Sequence, residues 1–229
     1  MDINILYEDN HLLIVEKPVN IPVQQDRSND PDLLTMLKQY LKEKYNKKGN
    51  VYLSLVHRLD RPVGGVILFA KTSKAASRMS DLLRKQQLER TYLAVVRGKV
   101  EKQSDTLTHY LFKDRKKNQV FVVSRNTKNA KEAILHYEKL ASSNELSLLK
   151  VILQTGRSHQ IRVQLSEIGH PLYGDQKYGQ NLNKVGQQIA LWAYELSFVH
   201  PVRQTELSIC SIPPNIYPWN MFKIKENEI

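Results

Sequence analysis

Short apolar runs of strand length, each closed by turn-forming residues, recur along most of this 229-residue chain. The first two, INILYED and HLLIVEK, meet at Asp9-Asn10, a pair typical of a tight turn between antiparallel strands. Later runs of this kind are VYLSLV, GVILFAK, RTYLAVVRGKV, ILHYEKL and LSLLKVILQTG. A further run, ALWAYELSFVH, has the pattern of a pair of strands. Hairpin-like runs with few helices predict an α+β fold with a mostly antiparallel sheet flanked by helices, rather than a doubly wound sheet.

Three segments have the apolar period of helices. In the first, residues 29–45, Asp30 is the predicted N-cap and Pro31 suits the first helical position. Two more helices are predicted within residues 72–88 and 158–169. Because no linker-like stretch divides the chain, we expect the whole of it, 1–229, to form a single domain.

The chain is strongly basic, with 34 Lys and Arg against 23 Asp and Glu and a net charge of +11. Such a surplus indicates a polyanionic partner, nucleic acid rather than a membrane, although a merely basic soluble protein is the alternative. No apolar run approaches the roughly 18 residues of a membrane span. The N-terminal residues lack the basic and apolar regions of a signal peptide. We therefore expect a cytoplasmic protein.

The residues that bind metals are sparse. Cys210 is the only cysteine, which excludes an intramolecular disulfide and zinc sites built from several cysteines. The seven histidines are scattered, without an HExxH motif or a close pair. We expect neither a metal nor another cofactor.

Asp60 is an isolated carboxylate in a cationic turn, HRLDRPVGG. It lies between Arg58 and Arg61, and no other Asp or Glu occurs from Lys44 to Ser80. Neighbouring positive charge favours the ionised carboxylate, which is a poor general acid but a usable nucleophile or base. The alternative is a structural aspartate that closes a turn beside proline and glycine.

A second cationic stretch is TGRSHQIR, residues 155–162. It places Arg157, His159 and Arg162 at the N-terminal end of a predicted helix, where cations are unfavourable because that end carries partial positive charge. The placement indicates a nearby anion, either a phosphate or a carboxylate, and Arg162 at the edge of the core face would reach a partly buried acid. The alternative is that the arginines simply reach water.

Tyr92, in RTYLAVV, shares one face of its predicted strand with Ala94 and Val96. Taken alone it is a packing residue. Near a cationic pocket, an aromatic ring can stack on a nucleobase, which contributes about 1–3 kcal/mol per base.

Residues 113–131 concentrate charge around the strand-like run VFVV. They carry seven Lys or Arg, including Lys116 and Lys117, and one Asp. The segment is either a solvated hairpin or a basic finger that binds a phosphate backbone and adds affinity without reading sequence.

In this order, these stretches resemble the RluA-type pseudouridine synthases. The similar segments are HRLD followed by Gly65-Val66, then RTYLAVVRG, TGRSHQIRVQL and GHPLYGDQKYG, and the opening ILYEDNHLLIVEKPVNIPV is similar to that family's first strands with their Lys-Pro turn. The resemblance extends from about residue 4 to about residue 214. It implies the pseudouridine synthase α+β fold, a mixed and mostly antiparallel sheet in two lobes with flanking helices and a central active-site cleft.

The resemblance also implies roles for individual residues. Asp60 corresponds to the catalytic aspartate, Tyr92 to the tyrosine that stacks on the flipped uracil and handles its C5 proton, and Arg162 to the arginine that pairs with the aspartate. Arg58 corresponds to an arginine that helps to hold RNA once the uridine is extruded. Further RNA contacts are expected from Arg61, Arg157, His159, Lys116 and Lys117.

The implied activity is that of an isomerase, an intramolecular transferase that converts specific uridines of rRNA or tRNA to pseudouridine after base flipping. The N1–C1′ bond breaks, the uracil rotates and C5 joins C1′, without a cofactor or metal. Whether Asp60 attacks C1′, attacks C6 or removes the C2′ proton is left open. We expect a monomer with RNA as its partner, and neither DNA nor a membrane.

The chain departs from the family pattern at four places. Val63 and Gly64 stand where Thr and Ser are frequent, Asn20 stands in the Lys-Pro turn, and Trp192 replaces a frequent histidine. No N-terminal S4 domain is expected ahead of residue 4. The first three affect packing and RNA contacts, and the last leaves the choice of substrate open.

Two other functions compete with the isomerase. One is a basic RNA-binding or ribosome-assembly protein that keeps the fold, and the other is a metal-dependent nuclease or hydrolase. The combination of Asp60, Tyr92 and Arg162 favours the isomerase, because pure binding does not require an isolated carboxylate beside RNA phosphates. The absence of ligand clusters from the sequence disfavours the nuclease.

Overall fold

The computed structural model describes residues 3–26, 28–143, 145–179 and 181–224. By their internal contacts, Met1–Glu89 and Ala193–Ser211 form one compact unit, here unit 1, and Arg90–Trp192 and Ile212–Ile229 form another, unit 2.

The described residues contain eleven strands and three α-helices. The strands are β1 Ile5–Glu8, β2 Leu12–Lys17, β3 Ser54–Leu55, β4 Gly64–Ala70, β5 Leu88–Arg97, β6 Ser104–Asp114, β7 Gln119–Val123, β8 Lys131–Ser142, β9 Leu146–Leu153, β10 Leu191–Val199 and β11 Glu206–Cys210. The helices are α1 Leu33–Lys44, α2 Ser73–Arg84 and α3 Gln160–Glu167, and a 3-10 turn covers Trp219–Met221. The predicted α+β fold with a mostly antiparallel sheet is confirmed.

In unit 1 the strand order is β1-β2-β4-β10, with β3 also pairing β4 and β11 pairing β10. The predicted first hairpin is confirmed: β1 and β2 pair antiparallel, and Asp9 Oδ1 accepts hydrogen bonds from the backbone N–H groups of His11 and Leu12, both at 2.7 Å. On one face, buried residues of β2 and β4 pack against Ala75 and Met79 of α2. One part of the core of unit 1 therefore lies between this sheet and α2.

Helix α1 begins two residues later than expected. Its N-cap is Asp32, whose side chain accepts a hydrogen bond from the Thr35 backbone N–H at 3.0 Å, so the prediction of Asp30 as the cap is wrong. The reason is that the Asp30 carboxylate is engaged elsewhere, in an ion pair with Arg61. The sequence predicts an apolar stripe of Leu34, Leu37 and Leu41; Leu37 and Leu41 are buried in the core, but the third buried position is Leu33 rather than Leu34.

The prediction that ALWAYELSFVH forms two strands is also wrong. The segment is one continuous strand, β10, and its antiparallel partner is β11. The turn between them is closed by a hydrogen bond from the His200 backbone N–H to the Thr205 carbonyl oxygen at 2.8 Å. The break in the sequence pattern thus lies after the run, not inside it.

In unit 2 the strand order is β5-β9-β8-β6-β7, and each of these neighbours pairs antiparallel. Helix α3 packs through Val163 against Leu111, Val120 and Ala133 of the sheet. The basic segment 113–131 contains β7 and the turn that joins it to β6, so this part of the sequence forms a hairpin. No helix in the described ranges has both the length and the apolar character needed to cross a bilayer.

Candidate active site

Asp60 lies in the loop that connects β3 to β4, and its side chain is half-buried. The buried side chains of Leu59 and Val63 anchor the loop, and the Val63 backbone N–H donates to the Asp60 carbonyl oxygen at 3.0 Å. Upstream, the buried His57 accepts a hydrogen bond at Nε2 from the Leu68 backbone N–H of β4 at 3.2 Å. The short loop therefore holds the lone carboxylate between several buried anchors.

Gly65 fixes the start of β4. Its φ of +107° is disfavoured for residues with a side chain, and a Cβ there would collide with the carbonyl oxygen of Ala193 in β10. The glycine is therefore required both by the backbone conformation and by the close approach of β10 from Ala193 onward.

Lys17, at the end of β2, ties this loop to the sheet. Its side chain is fully buried, and its Nζ donates to the carbonyl oxygens of Pro18 at 2.8 Å and Arg61 at 3.0 Å. Burial lowers the pKa of Lys17 to about 7. The negative charge of Asp60 opposes this shift, because it favours the protonated amine. Sequence reasoning did not select Lys17 as a site residue, although a lysine that ends an apolar run directly before proline was a usable signal.

The two arginines beside Asp60 differ in environment. Arg58 is exposed. Arg61 donates to the Asn20 carbonyl oxygen at 3.0 Å and pairs with the carboxylates of Asp30 and Asp26, the latter at 3.8 Å. Arg61 thus connects Asn20, Asp26 and Asp30 to the Asp60 loop.

Tyr92 lies in β5, in unit 2, and its side chain is 6% exposed. Both faces of this part of the strand are buried, including Leu93, Ala94, Val95 and Val96. Alternation along the strand therefore does not separate a core face from an open face here.

Arg162, on α3, is buried and makes a bidentate ion pair with Asp175, with Nε–Oδ2 and Nη2–Oδ1 both at 2.8 Å. Burial favours a raised pKa for Asp175. Two influences outweigh burial: the hydrogen bond and charge of Arg162, and the hydrogen bonds from the backbone N–H groups of Lys177 and Tyr178. The pKa of Asp175 therefore lies below its usual value. Asp175 falls within the quoted GHPLYGDQKYG, but sequence reasoning gave it no role. Asp60 and Arg162 belong to different units, and their pairing stays a prediction.

The start of α3 is built around Tyr178. His159 adopts a left-handed conformation with φ of 52°, and its Nδ1 lies 2.7 Å from the Tyr178 hydroxyl. That hydroxyl also accepts a hydrogen bond from the Val120 backbone N–H at 2.9 Å, and the Arg162 guanidinium lies 5.3 Å from the centroid of the Tyr178 ring. Tyr178 thus connects the helix start to the basic hairpin.

Lys116 and Lys117 lie in the turn between β6 and β7, and both side chains are exposed. Their backbone N–H groups donate to Asp114 Oδ1 at 2.9 and 3.1 Å, so the single acid of the segment shapes the turn. The structure therefore places Arg157, His159, Arg162, Tyr92 and these lysines in unit 2, and Arg58, Asp60 and Arg61 in unit 1. In the described part of the chain, no three His, Cys, Asp or Glu side chains are grouped as a metal ion would require.

Comparison with known proteins gives the family. A model of the RNA pseudouridylate synthase family matches residues 11–167. An uncharacterized RNA pseudouridine synthase of Bacillus subtilis, YhcT, is 35% identical over 215 residues, which is 93% of this chain and 68% of the relative. The ribosomal large subunit pseudouridine synthase C of Buchnera aphidicola is 30% identical over 216 residues, covering 90% of this chain and 65% of the relative.

A solved structure, human RNA pseudouridylate synthase domain containing 4, superposes with a TM-score of 0.76 at 24% identity, covering 92% of this chain and 88% of the human one. This likeness shows the fold. The chain spans about two thirds of the length of the two bacterial relatives described above, 68% and 65%. The family model and these relatives place the chain among the RluA-type RNA pseudouridine synthases, a family of isomerases that act on RNA.

Proposed function

We propose that the chain converts specific uridines of ribosomal RNA to pseudouridine, with Asp60 as the catalytic group. The observation that carries the proposal is the family match over residues 11–167, which includes Asp60, Tyr92 and Arg162. Ribosomal RNA is favoured over tRNA because the Buchnera relative is named for the large ribosomal subunit. The net charge of +11 suits an RNA substrate.

The proposed reaction breaks the N1–C1′ bond of a flipped uridine and forms a C5–C1′ bond. The proton on C5 is lost and N1 gains one, so the product is an isomer of the substrate. Asp60 acts as an ionised carboxylate on the ribose or the base. Its half-buried position in a loop anchored by Lys17 supports this role, because a fixed carboxylate needs little reorganisation to reach the reacting atoms.

Tyr92 and Arg162 complete the proposed site. Tyr92 stacks on the flipped uracil and relays its C5 proton, its hydroxyl giving up its own proton as it accepts the one from C5. Stacking offsets part of the cost of flipping, which is a few kcal/mol. Arg162 supplies a fixed positive charge that keeps the catalytic carboxylate ionised, and its ion pair with Asp175 supports this by holding the guanidinium rigid. We propose that both units contribute and that residues 1–229 act as one catalytic domain.

The outer surface contributes affinity. We propose that Arg58, Arg61, Arg157, His159, Lys116 and Lys117 contact the RNA. The ion pairs of Arg61 with Asp26 and Asp30 leave it the least available of this set. The exposed lysines of the β6–β7 turn suit contacts with phosphates that do not depend on sequence.

The experiment that tests the proposal maps pseudouridines in total RNA from cells with and without the gene. We expect at least one rRNA uridine to lose its modification, with restoration by the wild-type gene and not by Asp60→Asn. Loss confined to tRNA would overturn the choice of rRNA while keeping the activity. An unchanged map, with the protein expressed, would overturn the isomerase and favour a protein that only binds RNA.

A further inference from the structure

Arg90 is a buried cation that lacks the partners such a residue normally has. It lies in β5, two residues before Tyr92, and is 7% exposed. Its Nε is inaccessible to solvent and makes no hydrogen bond within the described residues, and no ion pair of Arg90 occurs among them. Burial lowers the pKa of this guanidinium below its usual value. A buried charge without a counter-ion is costly to the free protein.

Arg162 shows how unit 2 treats a comparable side chain. It is equally buried, at 7% exposure, and Asp175 binds its guanidinium in bidentate fashion. Arg90 has the same burial and no such carboxylate in the described chain. The contrast indicates that none of the residues the structure describes supplies a counter-ion to Arg90.

The TGRSHQIR segment makes space for this guanidinium. A Cβ on Gly156 would lie 2.5 Å from Arg90 Nη1, so the absence of a side chain lets the loop backbone pack against Arg90. The loop is held in shape by Gln160, whose Oε1 accepts hydrogen bonds from Thr155 Oγ1 at 2.8 Å and from the Arg157 backbone N–H at 2.9 Å. The backbone of a fixed loop therefore packs directly against the buried guanidinium.

The same loop gathers further positive charge. Arg157 belongs to it, and Lys113 of the basic hairpin donates from Nζ to the Ser158 hydroxyl at 3.2 Å. The Arg157 Nε donates to the Glu132 carbonyl oxygen at 2.9 Å, and like charges on one loop are relieved when an anion binds beside them. The loop and Arg90 together thus have the composition of an anion site.

We propose that Arg90 and the loop of residues 155–159 form a binding site for a phosphodiester group of the RNA strand, beside Tyr92. The inference rests on the proposed function and adds a contact that it lacks. A phosphodiester carries a full negative charge and presents two oxygens, which the planar guanidinium fork binds in bidentate fashion. The RNA then provides the counter-ion that the free protein lacks, so binding offsets the cost of the buried charge.

The test measures the affinity of fluorescently labelled oligouridylate as a function of KCl concentration, in an Asp60→Asn background that prevents turnover. Arg90→Met is expected to weaken binding about tenfold, as for loss of one charged hydrogen-bonding group, and to lower the slope of log affinity against log salt by about 0.7. The matched control is Arg84→Met, an exposed arginine of α2, which changes the net charge equally. It is expected to leave both quantities close to those of the parent.

Two further variants separate the charge from its placement. Arg90→Lys keeps the charge without the fork and is expected to keep the salt slope while losing part of the affinity. Gly156→Ala keeps all charges and displaces the flexible end of Arg90, so it is expected to weaken binding without lowering the thermal stability by more than a few degrees. If Arg90→Met fails to fold, the RNA affinities of Arg90→Lys and Gly156→Ala test the proposal in its place.

Thermal unfolding of the free protein gives an independent readout. Because an unpaired buried charge destabilises, Arg90→Met is expected to unfold at the same temperature as the parent or above it. If Arg90→Met matches Arg84→Met in affinity and slope, or if the parent does not bind oligouridylate, the proposal is overturned. If the wild-type protein binds RNA but forms no pseudouridine, the proposed function is refuted, and the measured affinities still test the site at Arg90.

Discussion

Lys17 donates a hydrogen bond from Nζ to the carbonyl oxygen of Arg61, a residue 44 positions further along the chain and directly after Asp60. A second hydrogen bond, to the Pro18 carbonyl oxygen, fixes the amine at the end of β2. Through these two bonds the most buried lysine of unit 1 determines where the loop with the lone carboxylate can lie. A neutral amine still has two N–H donors, so the arrangement is retained when the proton is lost.

Replacing this lysine should therefore affect catalysis more than RNA binding. Lys17→Met leaves two carbonyl oxygens without a donor, and we expect it to destabilise unit 1 by about 1–3 kcal/mol. Because the Asp60 loop is loosened, we expect kcat to fall at least tenfold with little change in RNA affinity. Urea unfolding and single-turnover pseudouridine assays measure the two effects. Lys42→Met, on the exposed side of α1, is the matched control, and equal effects in both variants would contradict the prediction.

The pH dependence of stability should carry the signature of Lys17. Its pKa is lowered from 10.5 to about 7, so below pH 7 the amine is protonated in both states. Between about pH 7 and pH 10.5 the Lys17 amine is protonated in the unfolded chain and neutral in the folded chain. Stability therefore rises with pH in this window, by up to about 1.4 kcal/mol per unit. Unfolding at several pH values should show this rise in the wild type and its absence in Lys17→Met.

Asp60→Asn should abolish pseudouridine formation while leaving RNA affinity within about twofold, since binding depends mainly on the cations. The same variant should lower the pKa of Lys17 further, because the charge of Asp60 favours the protonated amine. Tritium release from C5-labelled RNA and NMR titration of the lysine side chain check the two effects. Glu206→Gln, an exposed acid of β11, is the control, and residual turnover in Asp60→Asn would refute the catalytic role.

Asp175→Asn should be among the most destabilising single changes in unit 2. It leaves Arg162 buried without its carboxylate, and breaking a buried pair costs about 3–5 kcal/mol. Because the pKa of Asp175 is depressed, its contribution is complete above the usual carboxyl range and is lost as the pH falls through the depressed pKa. Urea unfolding at neutral pH measures the loss of stability in Asp175→Asn. The same measurement at lower pH shows how the contribution of Asp175 in the wild type declines. Glu101→Gln, largely exposed, should behave as wild type.

The double change Lys116→Ala and Lys117→Ala should weaken RNA binding and lower the slope of log affinity against log salt by about 1.4. This is the sum for two lost phosphate contacts, since each contributes about 0.7 on single strands. The unfolding temperature should stay unchanged, because the turn is shaped by Asp114 through backbone N–H groups. Fluorescence titrations in KCl provide the measurement. Lys47→Ala with Lys48→Ala removes equal charge from unit 1, and an unaltered slope in the hairpin variant would mean that the hairpin is merely solvated.

Local patterns predicted most of the strands, but not β6 or β11. The hairpin at Asp9-Asn10 follows from turn chemistry, which acts over a few residues. The N-cap of α1 did not follow from local rules, because Asp30 and Asp32 are equally good caps and the ion pair of Asp30 with Arg61 removes one of them. The length of β10 was missed for a similar reason, since its partner β11 lies outside the run.

The site residues that sequence reasoning missed all act through contacts between distant segments. Lys17 reaches Arg61, Asp175 reaches Arg162, and the role of Gly156, in the loop after β9, depends on Arg90 in β5. The position of Arg162 was also only partly foreseen. It was placed at the edge of a core face, but α3 is buried from Gln160 through Leu165 and Arg162 lies inside. Periodicity cannot show this, because a helix enclosed on several sides has no single apolar face.

Gly65 has a consequence for how this loop can vary. The loop is attached at one end where His57 binds the backbone of β4, and at the other where Gly65 touches β10. Between these attachments side chains can be exchanged if their volume suits the core, which accounts for a buried Val63 where threonine is frequent. The number of residues cannot change without breaking one attachment. Across homologues and engineered variants, the segment should therefore tolerate substitution and reject insertion or deletion.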